Sequence, residues 1–331
     1  MLRILCLLAA VPAACQVPWI DTHTHPLGGP GLRADVFAPG RLDAVLSVHE
    51  RWGVRRALLA MPPAPWERPQ IERQIISAAK SRPEQLGFLG GGLQALIAEA
   101  VRRGGVSEEL HARFEKKVAD LVRGGAAGFG EMTALHFSFV EGHTYIEAPP
   151  DHPLFLLLAD LAARHDLPID LHMEAVVKET PTPPRLLALS PLNPPKVRGN
   201  LEAFERLLSH NHKARIVWLH IGWDNTGNIT PARLRRLLEG HANLFLQIRI
   251  PARPGLFPEN GLLAPDSTIR PEWLDLIRSW PERAVLGSDA FLARPDFEEG
   301  LRRTALFLRA LPPELARTVG LENAKRIYRI R

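Results

Sequence analysis

Val17-Pro18-Trp19-Ile20-Asp21-Thr22-His23-Thr24-His25 is an apolar run that ends in two histidines one residue apart. On extended backbone, residues two apart face the same side, so His23 and His25 can present their imidazoles to one point. Alone, such a pair is more often incidental than metal-binding. It does mark a buried strand with ionisable residues at its C-terminal tip.

Outward from this strand the same unit recurs. Short apolar runs rich in β-branched residues are predicted at 17–22, 55–61, 86–90, 127–131, 167–172, 214–220, 244–250 and 283–287. Between them the apolar spacing predicts helices at 42–52, 71–80, 108–122, 153–165, 201–209, 232–238, 272–280 and 297–311, and a closing helical piece at 313–329. Asp151 ahead of Pro153, Asn200, and Thr230 followed by Pro231 read as helix starts. Eight βα repeats with continuous apolar strands demand a parallel sheet buried on both faces, and closure into a (β/α)8 TIM barrel is the economical solution. The rival is an open doubly wound sheet, which needs a phosphate-binding turn after the first strand. Residues 26–32, Pro-Leu-Gly-Gly-Pro-Gly-Leu, are glycine-rich but open no helix in the required register.

The 331 residues, 46% hydrophobic, exclude a wholly disordered chain or a fibrous repeat. Net charge is +5 and no run of five or six like charges occurs, so neither nucleic acid nor a membrane surface is demanded as partner. Residues 1–15 carry one charge, Arg3, before an apolar stretch from Ile4 to Ala14, the layout of a signal peptide. Export to the periplasm or beyond is expected, with cleavage after Ala13 or Ala14 and a single barrel domain from 16 to 331. A lipoprotein anchor on Cys15 is the alternative, although Pro12 stands where a Leu-like residue is usual. Both cysteines, Cys6 and Cys15, fall here, so the body of the chain offers no thiolate. Any metal must be held by nitrogen and oxygen.

Four further ionisable residues end or follow predicted strands: Glu131 the fourth, His172 the fifth, His220 the sixth and Asp289 the eighth. Singly, each reads as a hydrogen-bonded rim residue or a helix cap. Jointly, in a closed barrel, they ring one mouth with His23 and His25, and four imidazoles plus two carboxylates suit zinc or a similar divalent ion. Long connections at 132–152, 174–199 and 251–270 follow strands and should project from that same face.

This set resembles the amidohydrolase superfamily, within it the amidohydrolase-related TIM-barrel metal-dependent hydrolases, over nearly the whole chain from Ile20. The closing Glu322-Asn323-Ala324-Lys325-Arg326 is similar to the family's terminal helix. Glu131 stands where carbamylated members carry lysine, an arrangement that resembles TatD-type deoxyribonucleases. The resemblance implies that His23, His25 and Asp289 hold the more buried ion. Glu131 would bridge, and His172 and His220 would complete a second site. If Glu131 only hydrogen-bonds, one ion is expected instead of two. Asp289 would be the proton acceptor. Arg249, Glu174, Trp223, Asp224 and His136 are candidates for substrate contact, and Asp21 for a supporting role.

Hydrolysis of a small amide, lactone or ester is the leading expectation. A decarboxylase of the aminocarboxymuconate-semialdehyde type is the alternative, and phosphodiester cleavage is disfavoured because no basic, aromatic-interleaved stripe accompanies the site. Substrate identity and oligomeric state stay open.

Overall fold

The computed structural model describes residues 17–29, 35–140, 143–251, 253 and 255–330. The expected leader, with Cys6 and Cys15, lies outside the described residues. Eight strands, β1 (Trp19–His25), β2 (Val54–Leu59), β3 (Leu86–Phe88), β4 (Phe129–His136), β5 (Ile169–Met173), β6 (Ile216–Ile221), β7 (Leu244–Ile248) and β8 (Ala284–Leu286), follow one another in the sequence-predicted positions. Ladders β1–β2–β3 and β4–β5–β6–β7–β8 are parallel throughout. Two sutures close them into a cylinder. A parallel bridge joins Leu89 to Gly128. Ala290–Phe291 pairs in parallel with Thr24 and His25, while Thr22 Oγ1 donates to the Leu286 carbonyl at 2.9 Å. This is the expected TIM barrel, a closed sheet without edges.

Side-chain alternation sorts the strands into two cores. On β6, Trp218 faces outward against Phe204 of α7 (Leu201–His210), and Val217 and Leu219 face the barrel axis. The outer core also takes the buried faces of α1 (Arg41–Arg51), α2 (Pro69–Ser81), α3 (Gln94–Arg103), α4 (Glu108–Gly124), α5 (Pro153–His165), α8 (Pro231–Gly240), α9 (Pro271–Ser279) and α10 (Phe297–Ala310). Each fully buried Leu, Ile or Phe is worth roughly 1.5–3 kcal/mol, so this ring holds the barrel from outside. The inner core is Ile20, Leu58, Leu89, Val217, Leu219, Phe245 and Val285, closed from below by Ala324, Ile327 and Tyr328. Asn323 fixes that plug, its Nδ2 donating to the Pro281 and Ala284 carbonyls at the start of β8. The predicted closing piece is thus the barrel floor. Among the described residues no helix is long and apolar enough to cross a membrane.

Local expectations needed correction. Helix α3 stands in the β3–β4 connection, where the sequence predicts only α4. Glu131 is the third residue of β4, which continues to His136 because its last turn pairs antiparallel with Ile146–Glu147. The proline-dense connection 174–199 holds an extended ribbon of Thr180–Pro181 with Lys196–Val197, and also the short helix α6 (Pro184–Leu189). Thr230 caps α8 as expected, accepting from Arg233 N. His152, not Asp151, caps α5 through Nδ1. Asn200 caps nothing with its side chain: Oδ1 accepts from Val176 N and Nδ2 donates to the Glu174 carbonyl, tying down the chain after β5.

Candidate metal centre and active site

Three of the strands that carry predicted ligands break register at the ligand. Between Asp21 and Thr24, β1 advances three residues while β2 advances two. β4 does the same against β5 between Phe129 and Met132, and β6 against β7 between Trp218 and Ile221. One extra residue reverses the facing of everything after it. This is how Ile20 and His23, three apart, both point to the axis, and how His220 turns in beside the inward Leu219. His220 and Asp289 have φ of 64° and 51°, left-handed backbone that costs a non-glycine residue of order 1 kcal/mol or more. Two of the candidate ligands are therefore held against a local preference.

The result is a closely spaced donor set. His23 Nε2 and His25 Nε2 are 3.3 Å apart, and Glu131 Oε2 is 3.5 and 3.4 Å from them. Asp289 Oδ1 lies 3.1 Å from His25 Nε2, 3.9 Å from His23 Nε2 and 3.7 Å from His220 Nε2. Donors about 2.0–2.1 Å from a shared cation stand roughly 3.0 Å apart in octahedral and 3.4 Å in tetrahedral geometry, so these separations suit coordination. Glu131, His172 and His220 form an overlapping triad. His172 Nδ1 is 2.7 Å from Glu131 Oε1, a hydrogen-bond distance that is short for two ligands of one ion. His220 is buried and neither ring nitrogen has a hydrogen-bond partner. A cation would satisfy an atom otherwise buried at a cost of 1–3 kcal/mol. On donor chemistry, spacing and this orphaned imidazole, the residues fit a divalent metal.

Electrostatics point the same way. Burial pushes the Glu131 carboxyl up, yet hydrogen bonds from His172, His23 and His25 outweigh it and hold the group well below the carboxylate range. Burial likewise opposes ionisation of Asp289, and the Arg249 guanidinium above all holds it far below its ordinary value. His220 is driven well below the imidazole range, chiefly by burial, and so is neutral as a ligand must be. Burial works against a proton on His23, but Asp170 and Glu131 pull its value up to about 10. A cation must displace that proton, so affinity rises with pH.

Asp21 supports the centre from outside it. Its Oδ1 accepts from His23 N at 3.2 Å and from Ser288 N at 2.9 Å, clamping the ligand ends of β1 and β8 together. Gly287 leaves the space they need, since a Cβ there would meet His23 Cβ at 2.9 Å.

Above the donors opens a cavity of about 910 Å³, the size of a small-molecule site. His25, Glu131, His172, His220 and Asp289 form its bottom. One wall is a stack: Phe139 lies on Trp223 with centroids 5.3 Å apart, and the Arg249 guanidinium lies over Trp223 at 4.1 Å. Arg249 Nη1 is 2.9 Å from Asp289 Oδ2, so the cation of this wall reaches the metal ligands.

The amidohydrolase family profile matches residues 20–330, from the first ligand-bearing strand to the floor. The chain belongs to the amidohydrolase family. As an amidohydrolase it is an enzyme of hydrolase type. Comparison with curated proteins returns no match. Solved structures share the fold at low identity. A 5-carboxyvanillate decarboxylase of Novosphingobium aromaticivorans, complexed with manganese, is 12% identical with TM-score 0.53, over 94% of this chain and 96% of that one. A protein assigned as a 2-pyrone-4,6-dicarboxylic acid hydrolase of Acinetobacter baumannii is 13% identical with TM-score 0.53, over 94% and 99%. A 2,6-dihydroxybenzoate decarboxylase from Rhizobium is 16% identical with TM-score 0.52, over 94% and 99%.

In this amidohydrolase the secondary candidates divide. Arg249, Trp223 and His136 line the cavity. His136 is 4.5 Å from the His172 ring and 4.7 Å from His143, and burial drives both His136 and His143 down, the latter to about 4. Asp224 and Glu174 do not line it. Asp224 is spent on loop bonds, accepting from Thr226 N, Gly227 N and Ile229 N of its own loop and from Asn260 Nδ2 of the 251–270 connection. Glu174 accepts from Asn225 Nδ2 and, buried, has its pKa raised to about 7. Sequence reasoning missed His143 and Phe139, which share the 132–152 connection with His136. An aromatic and two histidines within eight residues were the available signal.

Proposed function

We propose that the protein is a zinc-type metal-dependent hydrolase that cleaves a small lactone, ester or amide carrying a carboxylate beside the scissile carbonyl. The observation behind this is the juxtaposition of Arg249 with the donor set. A guanidinium lying on Trp223 and reaching Asp289 is placed to take a carboxylate at the edge of the centre. His23, His25, Glu131 and Asp289, with His172 and His220 beside them, would hold a divalent ion, which would supply Lewis-acid activation of water and of the carbonyl oxygen. The chain's own residues do the rest. Asp289, kept ionised by Arg249, accepts the proton of the attacking water. Protonated beside that guanidinium it is a strong acid, and returns the proton to the leaving group. Phe139 and Trp223 hold the substrate's apolar face and exclude water.

A second reading rests on the 2.7 Å contact of His172 with Glu131, which leaves one complete ligand set rather than two and suits a one-ion decarboxylase. The fold is shared with enzymes of both kinds. Metal content by mass spectrometry, with turnover of carboxylated lactones, esters and amides and of the corresponding aromatic acids, separates them. Product containing solvent oxygen supports the hydrolase; carbon dioxide release replaces it with the lyase. Arg249→Lys is expected to raise KM for carboxylated substrates about tenfold and to spare neutral ones. Equal losses on both would remove the carboxylate from the proposal. We further propose export of the chain through its apolar leader; a full-length, unprocessed product in the cytosol would overturn this.

A further inference from the structure

The two histidines of β1 are supported differently on the side away from the donors. His25 Nδ1 meets the Ala60 carbonyl at 2.9 Å, which fixes its tautomer and aim. His23 Nδ1 has no hydrogen-bond partner, and a carboxylate oxygen, Asp170 Oδ2, lies 3.9 Å away and is equally unpartnered. Both atoms are fully buried, where an unpaired polar group is costly. Asp170 is itself held: Tyr328, in the floor, donates its hydroxyl to Asp170 Oδ1 at 2.7 Å across 158 residues of sequence. The fold also clears room for this carboxylate. A Cβ on Gly130 would lie 2.7 Å from Asp170 Cβ, closer than real Cβ atoms approach, so glycine beside Glu131 is what admits it.

We propose that Asp170, anchored by Tyr328, is the positioning residue of His23, and that the C-terminal floor sets metal affinity through the thread Tyr328–Asp170–His23. Ligating histidines as a rule donate their second ring N–H to a carboxylate or carbonyl, which orients the ring and strengthens it as a donor. His25 uses a carbonyl; Asp170 is the carboxylate within reach of His23. Approach by roughly 1 Å completes the bond. This inference rests on the metal centre proposed above, but not on the reaction catalysed there.

The test is cobalt(II) binding by competition with a chromophoric chelator, read with the visible d–d absorption, on the full chain and three variants. Asp170→Asn is expected to weaken Co²⁺ binding roughly 10- to 100-fold and to shift the absorption bands. Tyr328→Phe, which keeps the ring in the floor, should weaken it about threefold to tenfold in the same direction. Ile327→Ala loosens the same helix through packing alone and should lower the melting temperature of the metal-free protein without moving affinity or spectrum. Affinities within twofold of the parent for Asp170→Asn and Tyr328→Phe overturn the proposal, as does an equal loss in Ile327→Ala. If Asp170→Asn does not fold, Tyr328→Phe against Ile327→Ala decides. A parent protein that binds no Co²⁺ would instead bring down the metal centre itself.

Discussion

The two ends of the barrel solve opposite problems. At the floor, Ile20, Phe245, Val285, Ala324, Ile327 and Tyr328 pack against one another, and the Tyr328 hydroxyl and the Asn323 amide nitrogen both have partners. At the mouth, four imidazoles and two carboxylates crowd together, two of their residues adopt left-handed backbone, and buried nitrogens of His23 and His220 stand unpaired. The floor is an apolar plug with its polar atoms paired, and the mouth breaks several local rules within one cluster. Strain and unsatisfied polarity gathered at one site mark where a fold accepts cost for chemistry, provided the rest of the structure is stable enough to carry it.

If that contrast holds, substitutions at the mouth should move chemistry and leave folding alone. Asp289→Asn keeps the shape and tolerates the left-handed backbone, yet cannot accept a proton. We expect turnover to fall by roughly 10²- to 10⁴-fold with metal content retained and the melting temperature of the metal-free protein little changed. Undiminished turnover would remove Asp289 as the base; a large drop in stability would break the contrast. The floor should answer first in stability. Tyr328→Ala empties a fully buried aromatic site and should cost about 3–5 kcal/mol in urea unfolding. A cost below about 1 kcal/mol would show that the plug is ornamental and that the outer helices alone hold the barrel.

A third measurement sharpens the comparison by placing a histidine outside both ends. His49 lies on the buried face of α1, and burial lowers its pKa to about 4 from the usual 6.5. Folding keeps this imidazole neutral, so added protons favour the unfolded chain. Its contribution to stability is whole above pH 6.5 and drains away as the pH falls toward 4, by roughly 3 kcal/mol across that window. His49→Leu should flatten the acid limb of the stability curve relative to the parent. Parallel curves would show that His49 takes up its proton without unfolding.

Much of this division was legible before any coordinates. The repeat of apolar strand and amphipathic helix calls for a parallel sheet buried on both faces, and eight such repeats with no phosphate-binding turn after the first strand select the closed barrel over the open doubly wound sheet. His23, His25, Glu131, His172, His220 and Asp289 announce themselves as ionisable groups at or near the C-terminal ends of apolar strands. What the sequence does not disclose is how they converge. Strict alternation would send His23 and Ile20 to opposite faces, and only the extra residue in β1 brings both inward. Bulges of this kind leave no compositional trace, since any residue can occupy them. Asp224 misled for a related reason. A carboxylate just past a ligand-bearing strand reads as reactive until the backbone N–H groups that occupy its oxygens are seen. Asp170 gives no such sign, because a lone acid inside a strand carries no signal of what lies across the barrel.

The loop carrying Asp224 allows the finest test. It leaves β6 on the mouth side, yet Asp224 binds its amides and Thr230 caps α8, its Oγ1 accepting from Arg233 N at 3.3 Å. By position it belongs to the active-site face; by bonding it belongs with the stable scaffold. Thr230→Ala removes one acceptor at a helix start and should cost about 1 kcal/mol in chemical denaturation. If bonding rather than position decides, kcat and KM stay within twofold of the parent, because no cavity-lining side chain loses a partner. A catalytic loss larger than the stability loss would mean that this loop reports to the metal centre after all, through Trp223 and Asn225 at its start.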